Sequence, residues 1–270
     1  MSLTLRQGRG SQIKNMAKIS VTHLGHSRPM RHDTNDPFHV TYFNIRQSLG
    51  VIAMIFPLGL LLGGYITEGH VLPSISDYYF SSMRDFVVGA LVAIGLFLMA
   101  YRAERRPDTD WLDTLTGLGA GAAAIGLALF PNKPHATGVE TFFHAIMDDR
   151  ISVALHFLSS FVFLTTLTLY CLRIFARAAP VGERRFYQIC GWTIVASGII
   201  ATFASFVRAF DWFQAQAIVE HLNLIFWLEA AGIWAFCAAW LLKGQTERRA
   251  ASVPQSASSR HLASRWVPSQ

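Results

Sequence analysis

Long apolar stretches, almost free of charge, dominate the middle of the chain. Six can be traced, at residues 45–66, 86–101, 112–130, 153–175, 189–206 and 222–242. Each is near the roughly 20 residues with which a helix crosses the hydrocarbon of a bilayer, although the second stretch is short. The stretches are continuous rather than alternating, which favours helices over the strands of a membrane barrel. The pattern therefore predicts an all-α, polytopic bundle of six transmembrane helices.

Polar segments flank the apolar region and give the predicted domain organisation. Residues 1–44 carry scattered Lys, Arg and His without an early apolar stretch, so we expect a cytoplasmic tail and no cleavable signal peptide. The sequence leaves both Met1 and Met16 open as the start. Residues 244–270 are rich in Ser, Ala and Arg without periodicity, which predicts a disordered cytoplasmic tail. The transmembrane domain is expected at residues 45–243.

Lys and Arg are distributed unevenly between the two predicted faces of the membrane. Nineteen of the 23 lie in the two tails and in the connections after the second and fourth helices. The alternate connections hold only Arg84, Lys133, Arg150 and Arg208. Basic residues are enriched on the cytoplasmic side of membrane proteins. We therefore expect both termini in the cytoplasm and the bundle in the plasma membrane, the inner membrane of a bacterial cell.

The low fraction of charged residues supports a membrane protein, and the positions of the charges indicate which partners to expect. Only 15% of the residues are charged, against about 25% in soluble domains. The net charge of +6 comes from residues that orient the helices, so we expect membrane lipids and no nucleic acid as partners. Gly117 and Gly121 form a small-xxx-small pair in the third helix. Such faces pack helices closely, either within the bundle or in an oligomer.

Polar residues collect on the predicted outer face. Candidate residues for a cavity there are Ser76, Asp77, Arg84, Asp85, His156 and Glu229. Glu229 lies about 10 Å inside the sixth apolar stretch, and His156 lies about one turn inside the fourth. Ionisable groups at such depth are costly unless they are paired or hydrated, and they commonly serve a function. The sequence assigns no catalytic residue.

Two interpretations of these residues remain open. In the first, a pocket lies between helices two, four and six and is lined by Asp85, His156 and Glu229. That pocket would bind a lipid, or a protein partner, at the outer boundary of the membrane. In the second, the groups form a polar lock, in which Glu229 pairs with Arg84 or Arg208 and His156 donates to a carbonyl.

Metal-dependent and transport functions are the alternatives. Candidate zinc ligands are Asp85, His144, His156 and His221. No HxxxH or HExxH pair is present, so we expect no cofactor, with zinc as the alternative. A zinc enzyme would hydrolyse a lipid amide or ester with Asp85 or Glu229 as general base. A small transporter would use Glu229 as a proton relay, although helices one, three and five carry almost no polar residue at mid-membrane.

The segment LPSISDYYF connects the first two predicted helices. Ser76 is not part of a GxSxG motif, and no base stands at helical spacing from it. We expect Pro73, Ser74 and Ser76 to form a turn and a helix cap. Tyr78 and Tyr79 are then expected at the level of the lipid headgroups, as belt aromatics.

The same segment is similar to a family signature. Its residues Pro73, Ile75, Ser76 and Asp77 resemble the P-x-I-S-D pattern that follows the first helix in FRAG/DRAM-like six-pass membrane proteins, which include a prokaryotic family of unknown function. The resemblance covers the topology from residue 45 to 243 and the Arg-rich connection after the second helix. It implies a six-pass fold and a lipid-related role, and it supplies no catalytic residues.

A fainter similarity connects the chain to membrane hydrolases of the alkaline ceramidase type. Those proteins place a Ser and a His four residues apart, then an Asp, then a late HxxxH pair. Here Phe80 stands four residues after Ser76, and Glu229 occupies the last helix where the HxxxH pair is expected. The zinc set that the resemblance implies is therefore incomplete in this chain.

Overall fold

The computed structural model describes residues 37–101, 110–132, 142–210 and 213–252. Within these residues the chain is helical and contains no strand, which confirms the predicted all-α class. The described residues from Thr41 onward belong to one compact unit. A separate unit, Met1–Val40, is described only at its last four residues.

Within the described residues, six long helices form the bundle and three short helices lie in the connections between them. In chain order they are α1 (Pro37–Thr67), α2 (Arg84–Ala100), α3 (Asp110–Leu129), α4 (Asp149–Leu169), α5 (Val181–Ala209) and α6 (Leu224–Ser252). α4 continues through a π-helical turn and a last helical turn, Tyr170–Phe175 and Ala176–Ala178. The connections contain a 3₁₀ helix and two short α-helices, Ile75–Phe80, Phe142–Ile146 and Phe213–His221.

Five of the long helices are apolar and long enough to cross a membrane, which makes the chain a multi-pass membrane protein. The five segments are Arg46–Thr67, Trp111–Leu129, Asp149–Ala178, Val181–Arg208 and Leu224–Arg249. Large apolar side chains such as Leu62, Phe161 and Ile199 are exposed on their outward faces, as lipid contact requires. α2 has 17 residues and is about 25 Å long. A sixth span at α2 therefore stays a prediction, as does the cytoplasmic location of the termini.

Two helices extend into the predicted polar tails. α1 begins at Pro37 and α6 ends at Ser252, so residues 37–44 and 244–252 of the predicted tails are helical. At the end of α6 the apolar pattern missed these turns because most of their residues are polar. Near the end of α6, for example, Lys243 pairs with Glu247 at 3.2 Å, one turn apart. The rest of both predicted tails, with Met1 and Met16, lies outside the described residues.

Small residues bring α2 and α3 into close contact. A Cβ atom at Gly121 would lie 2.4 Å from the carbonyl oxygen of Gly95, a distance that real side chains do not tolerate. Ala120 and Ala124 on the same helix are fully buried. The small-residue pattern of α3 therefore packs helices within this chain, while its use in an oligomer stays a prediction.

One end of the bundle buries a charged cluster beneath aromatic rings. We call it the Arg46 cluster, and its members are Arg46, Tyr101, Trp240, Lys243 and Glu247. Arg46 is only 3% exposed and forms an ion pair with Glu247. Its guanidinium lies 4.8 Å from the ring centroid of Tyr101 and 5.2 Å from that of Trp240, within cation–π distance. The indole of Trp240 donates to the Arg46 carbonyl at 3.0 Å. The cluster joins the start of α1 to the end of α6.

The opposite end of the same helices holds the 3₁₀ helix, and we call it the 3₁₀ end. Ser74 caps this helix, since its Oγ accepts from the Ser76 amide at 3.1 Å, which confirms the predicted cap. The Phe226 amide donates to the Pro73 carbonyl at 2.9 Å and attaches the segment to α6. Tyr78 is fully buried beside Gly64.

The predicted placement of two tyrosines in a headgroup belt is wrong. Tyr78 and Tyr79 are both buried, because the 3₁₀ helix folds into the bundle rather than over its rim. The hydroxyl of Tyr78 accepts from the Leu72 amide at 3.2 Å. That of Tyr79 donates to the Leu129 carbonyl at 3.0 Å, at the end of α3.

Candidate binding cavity at the 3₁₀ end

Glu229 fastens the 3₁₀ helix to α6. It lies five residues after the start of α6, and its carboxylate accepts from the Ile75 amide at 2.7 Å and from the Ser74 hydroxyl at 3.0 and 3.2 Å. The first amides of a helix have no partner within the helix and carry partial positive charge. A carboxylate is therefore well suited to this position, and Glu229 acts as a second cap.

Asp77 connects the 3₁₀ helix to α5. Its carboxylate is 4% exposed and lies 2.6 Å from the guanidinium of Arg208. Asn132 donates to its other oxygen at 3.3 Å. Arg208 also lies 3.4 Å from Glu220, in the short helix before α6. Each charged group here has an opposite charge close by, as burial demands.

Ser76 and His156 meet across the interface between the 3₁₀ helix and α4. Ser76 Oγ lies 3.2 Å from His156 Nε2, and His156 Nδ1 lies 2.9 Å from the carbonyl oxygen of Phe130. A carbonyl only accepts, so Nδ1 carries the proton and Nε2 presents its lone pair to the Ser76 hydroxyl. The imidazole is 5% exposed, and the two bonds fix its orientation.

These groups surround one end of a cavity of about 340 Å³ between α4, α5 and α6. Polar residues that line that end are Ser74, Ser76, Asn132, His156, Arg208 and Glu229. On α5 the lining extends from Arg208 to Ser197, about 16 Å along the helix axis. The cavity is therefore an elongated slot that begins at the polar cluster and continues along α5.

Farther from the 3₁₀ end the walls are less polar than their residue types suggest. The Ser197, Thr202 and Ser205 hydroxyls donate to carbonyls of their own helix at 2.7–3.1 Å. Leu164 supplies apolar surface beside them. Hydroxyls that bond back to the helix have no free proton for a ligand. The groups able to donate a hydrogen bond to a ligand thus lie at the 3₁₀ end.

One buried acceptor in the cavity wall has no donor among the described residues. It is Oδ1 of Asn132. The amide nitrogen of this residue faces the Asp77 carboxylate, which fixes the orientation of the amide because two facing oxygens would repel. A buried acceptor without a donor is costly, so water or a ligand group that donates is expected beside it.

The structure brings together some of the predicted site residues and separates others. Ser76, His156 and Glu229 line the same cavity, and Asp77 adjoins it through its contacts with Asn132 and Arg208. Arg84 and Asp85 do not line it. Asp85 is exposed in the first turn of α2, while Arg84 lies 4.8 Å from the ring centroid of Tyr79. The predicted pocket lay between helices two, four and six. In the structure the cavity lies between α4, α5 and α6, so α5 rather than α2 forms its third wall.

The polar-lock interpretation is right for one of its two contacts. His156 donates to a carbonyl, as expected. The carboxylate of Glu229 bonds to Ser74 and Ile75, whereas the ion pairs of Arg208 in the described part of the chain are with Asp77 and Glu220.

At the polar end of the cavity wall, Ser74 and Asn132 were not among the predicted cavity residues, and Arg208 was considered only as a partner of Glu229. The pairing of Arg208 with Asp77 was not foreseen because the two residues are 131 positions apart along the chain. The position of Arg208 at the very end of an apolar stretch was the available signal.

The candidate zinc ligands are not gathered in the described structure. Within it, no group of three or more His, Cys, Asp and Glu residues is placed to hold a metal ion. Both nitrogens of His156 already have partners, and Asp85 and His221 are exposed. The side chain of His144 lies outside the described residues. The expectation of no cofactor stays a prediction.

Comparisons with models of protein families, with curated proteins and with solved structures found no match. The similarities to FRAG/DRAM-like proteins and to alkaline-ceramidase-type hydrolases therefore stay predictions from the sequence. The function must be argued from the cavity itself.

Proposed function

We propose that this membrane protein binds a neutral, single-chain acyl lipid in the slot between α4, α5 and α6. The headgroup lies at the 3₁₀ end and the acyl chain follows α5. One observation carries the proposal: the charged groups and the free hydrogen-bond donors are confined to one end of an elongated cavity, and the hydroxyls along the rest of the wall donate to their own helix. An amphiphile has the same division along its length.

The dimensions of the slot support one chain rather than two. A volume of about 340 Å³ is near the lower limit of small-molecule sites. The lining along α5 covers about 16 Å. A ligand that extends along this whole length must be narrow to fit within that volume.

Charge favours an uncharged headgroup. Among the described residues the cation of the wall is Arg208, which lies 2.6 Å from Asp77 and 3.4 Å from Glu220. Glu229 adds a third carboxyl group nearby. An anionic headgroup would meet more carboxylate than guanidinium, and close like charges repel. A glycerol headgroup instead offers hydroxyl donors, one of which would satisfy Asn132 Oδ1.

In this proposal the 3₁₀ end faces outward across a plasma membrane. The distribution of Lys and Arg supports that orientation, since the connections at this end contain few of them and the opposite side contains most. The lipid would then enter from the outer leaflet.

The test uses a photoreactive monoacylglycerol with the full chain in lipid nanodiscs. Thr202 lines the slot and its side chain is exposed, so Thr202→Phe obstructs the slot without disturbing a packed core. We expect this variant to reduce labelling at least tenfold. Ile199→Phe is the matched control, because Ile199 lies on the same helix, is 65% exposed and does not line the slot.

Equal labelling of both variants and the parent chain would contradict lipid binding in the slot. Labelling by a photoreactive phosphatidic acid in preference to the monoacylglycerol would contradict the uncharged headgroup.

A further inference from the structure

We propose that Ser76 and His156 form a catalytic pair that hydrolyses the ester bond of the acyl lipid in the slot. This inference rests on the proposed lipid binding and adds a reaction to it. The proposal rests on one observation: in the cavity wall, the Ser76 hydroxyl faces the neutral imidazole nitrogen Nε2 of His156 at 3.2 Å.

The geometry is that of an activated nucleophile. A serine hydroxyl becomes nucleophilic when a base within about 2.6–3.2 Å accepts its proton and a third group orients that base. His156 Nε2 is the base, and the Phe130 carbonyl at 2.9 Å is the orienting group. That carbonyl follows α3, whose carboxyl end carries partial negative charge. It favours the imidazolium that forms during reaction.

The Ser76 hydroxyl is not required for the fold of its own segment. Capping of the 3₁₀ helix is performed by Ser74 and Glu229, and the Ser76 backbone amide already bonds to Ser74 Oγ. In the described part of the chain the hydroxyl bonds to His156. Ser76 is half-buried and lines the slot, so a bound ester can reach it.

Donors for the developing negative charge line the same end of the slot. They are the guanidinium of Arg208 and the amide of Asn132. Each has N–H groups beyond those that its contacts with Asp77 use. Preorganised donors directed at a tetrahedral oxyanion supply much of the acceleration in acyl transfer.

The first half of the reaction transfers the acyl group to the serine. Ser76 Oγ bonds to the ester carbonyl carbon while its proton moves to His156 Nε2, which gives a tetrahedral oxyanion. As the carbonyl reforms, the bond between that carbon and the alkoxy oxygen breaks. The leaving glycerol oxygen takes the proton from His156, so the free alcohol departs and acyl-Ser76 remains.

Water completes the cycle. Its oxygen bonds to the acyl carbon, and one of its protons moves to His156 Nε2. The bond to Ser76 Oγ then breaks, the proton returns to that oxygen, and a fatty acid is released. A neutral carbonyl stabilises the imidazolium less than the aspartate of a full triad does, so turnover is expected to be slow.

A covalent probe tests the pair without depending on turnover. Full-length protein in nanodiscs is treated with a long-chain alkyl fluorophosphonate, and the adduct is located by mass spectrometry of peptides. We expect one adduct, on Ser76, and none in Ser76→Ala. Ser82→Ala is the matched control, since Ser82 is exposed just after the same 3₁₀ helix, donates to the Glu68 carboxylate at 2.8 Å and does not line the slot, so its labelling should equal that of the parent chain.

The role of His156 is tested by His156→Gln, which retains an N–H for the Phe130 carbonyl but supplies no base. The labelling rate at Ser76 is expected to fall at least tenfold, with elution from size exclusion unchanged. Should this variant aggregate, His156→Asn offers the same donor and the same test. Undiminished labelling in either folded variant would overturn the role of His156.

The two proposals fail in different ways. If the photoreactive monoacylglycerol labels the slot while the fluorophosphonate leaves Ser76 unmodified, hydrolysis is overturned and lipid binding stands. An adduct on another serine overturns the assignment of the nucleophile. If neither reagent reacts in the slot, both proposals are overturned.

Discussion

The two ends of the bundle use buried charge in different ways. In the Arg46 cluster, the guanidinium pairs with Glu247 and lies within cation–π distance of Tyr101 and Trp240. At the 3₁₀ end, the guanidinium of Arg208 pairs with Asp77 and Glu220, yet its side chain keeps 24% exposure and lines the slot. No member of the Arg46 cluster lines that slot.

The two ends therefore hold two kinds of ion pair. One only stabilises the fold, and the other keeps an accessible surface on which a ligand can bind. Aromatic rings at the Arg46 end occupy the space around the charge, so its contacts stabilise the junction of α1 and α6. Small residues of α5, such as Ala201 and Ser205, leave space beside the charged groups of the 3₁₀ end. We therefore expect substitutions at the first end to change stability alone, and substitutions at the second to change lipid binding.

The largest loss of stability is expected from Arg46→Ala. It removes a nearly buried cation, two cation–π contacts and the ion pair with Glu247. We expect the free energy of unfolding to fall by about 3 kcal/mol, the low end for a broken buried pair, because Lys243 still neutralises Glu247. Thermal unfolding in detergent measures this, and photolabelling of the folded fraction should be unchanged. A loss of photolabelling in the folded variant would show that the Arg46 cluster affects lipid binding as well as stability, which contradicts the difference between the two ends.

Asp77→Asn is expected to affect both properties. The amide retains the size of the side chain but removes the charge that faces Arg208 at 2.6 Å. Glu220 remains a partner, so we expect a loss of about 2 kcal/mol in unfolding free energy. Arg208 should also shift toward Glu220 and reduce monoacylglycerol labelling severalfold. Labelling equal to that of the parent chain would show that the ion pair is as purely structural as the Arg46 cluster.

Glu229→Gln has a smaller expected effect on stability. The glutamine oxygen can still accept from the Ile75 amide, whereas its NH₂ group faces the Ser74 hydroxyl. We expect a loss of about 1 kcal/mol from the weakened cap. Hydrogen exchange of the Ile75 amide should become faster, while exchange at the Arg46 end stays the same. Unchanged exchange at Ile75 would contradict the capping role of Glu229.

Asp85→Ala should have the smallest effect of all. Asp85 is exposed in the first turn of α2, where a carboxylate contributes about 0.3–1 kcal/mol through the helix dipole. Labelling by both reagents should match the parent chain, since Asp85 does not line the slot. If Asp85→Ala abolished labelling, the boundaries of the cavity described above would be wrong.

The sequence predicts the helices well because the membrane imposes length and composition on each of them. Five segments that match the apolar stretches are able to span a bilayer. Helix ends were less accurate, since the polar last turns of α6 are held by contacts such as Lys243 with Glu247 rather than by apolar pattern. The burial of Tyr78 also escaped prediction, because it depends on space beside Gly64 on another helix.

Candidate site residues could be selected from the sequence only by their depth inside an apolar stretch and by the chemical type of their side chains. That criterion selected His156 and Glu229, which line the slot, and also Asp85, which does not. Spacing along the chain gave no sign that Ser76 meets a base, because His156 is 80 residues away. Contacts of this kind arise from the packing of α4 against the 3₁₀ helix, which periodicity within one helix does not encode.

Mapping the positions labelled by a photoreactive monoacylglycerol, with the diazirine near the end of its chain, is the most direct test of lipid binding. The proposal predicts crosslinks to residues on the slot wall far from the 3₁₀ end, such as Leu164 and Ser197. It also predicts their loss in Thr202→Phe. Crosslinks spread over outward-facing residues such as Phe161 and Ile199, and unchanged in that variant, would contradict it, because they would reflect only the lipid that surrounds the bundle.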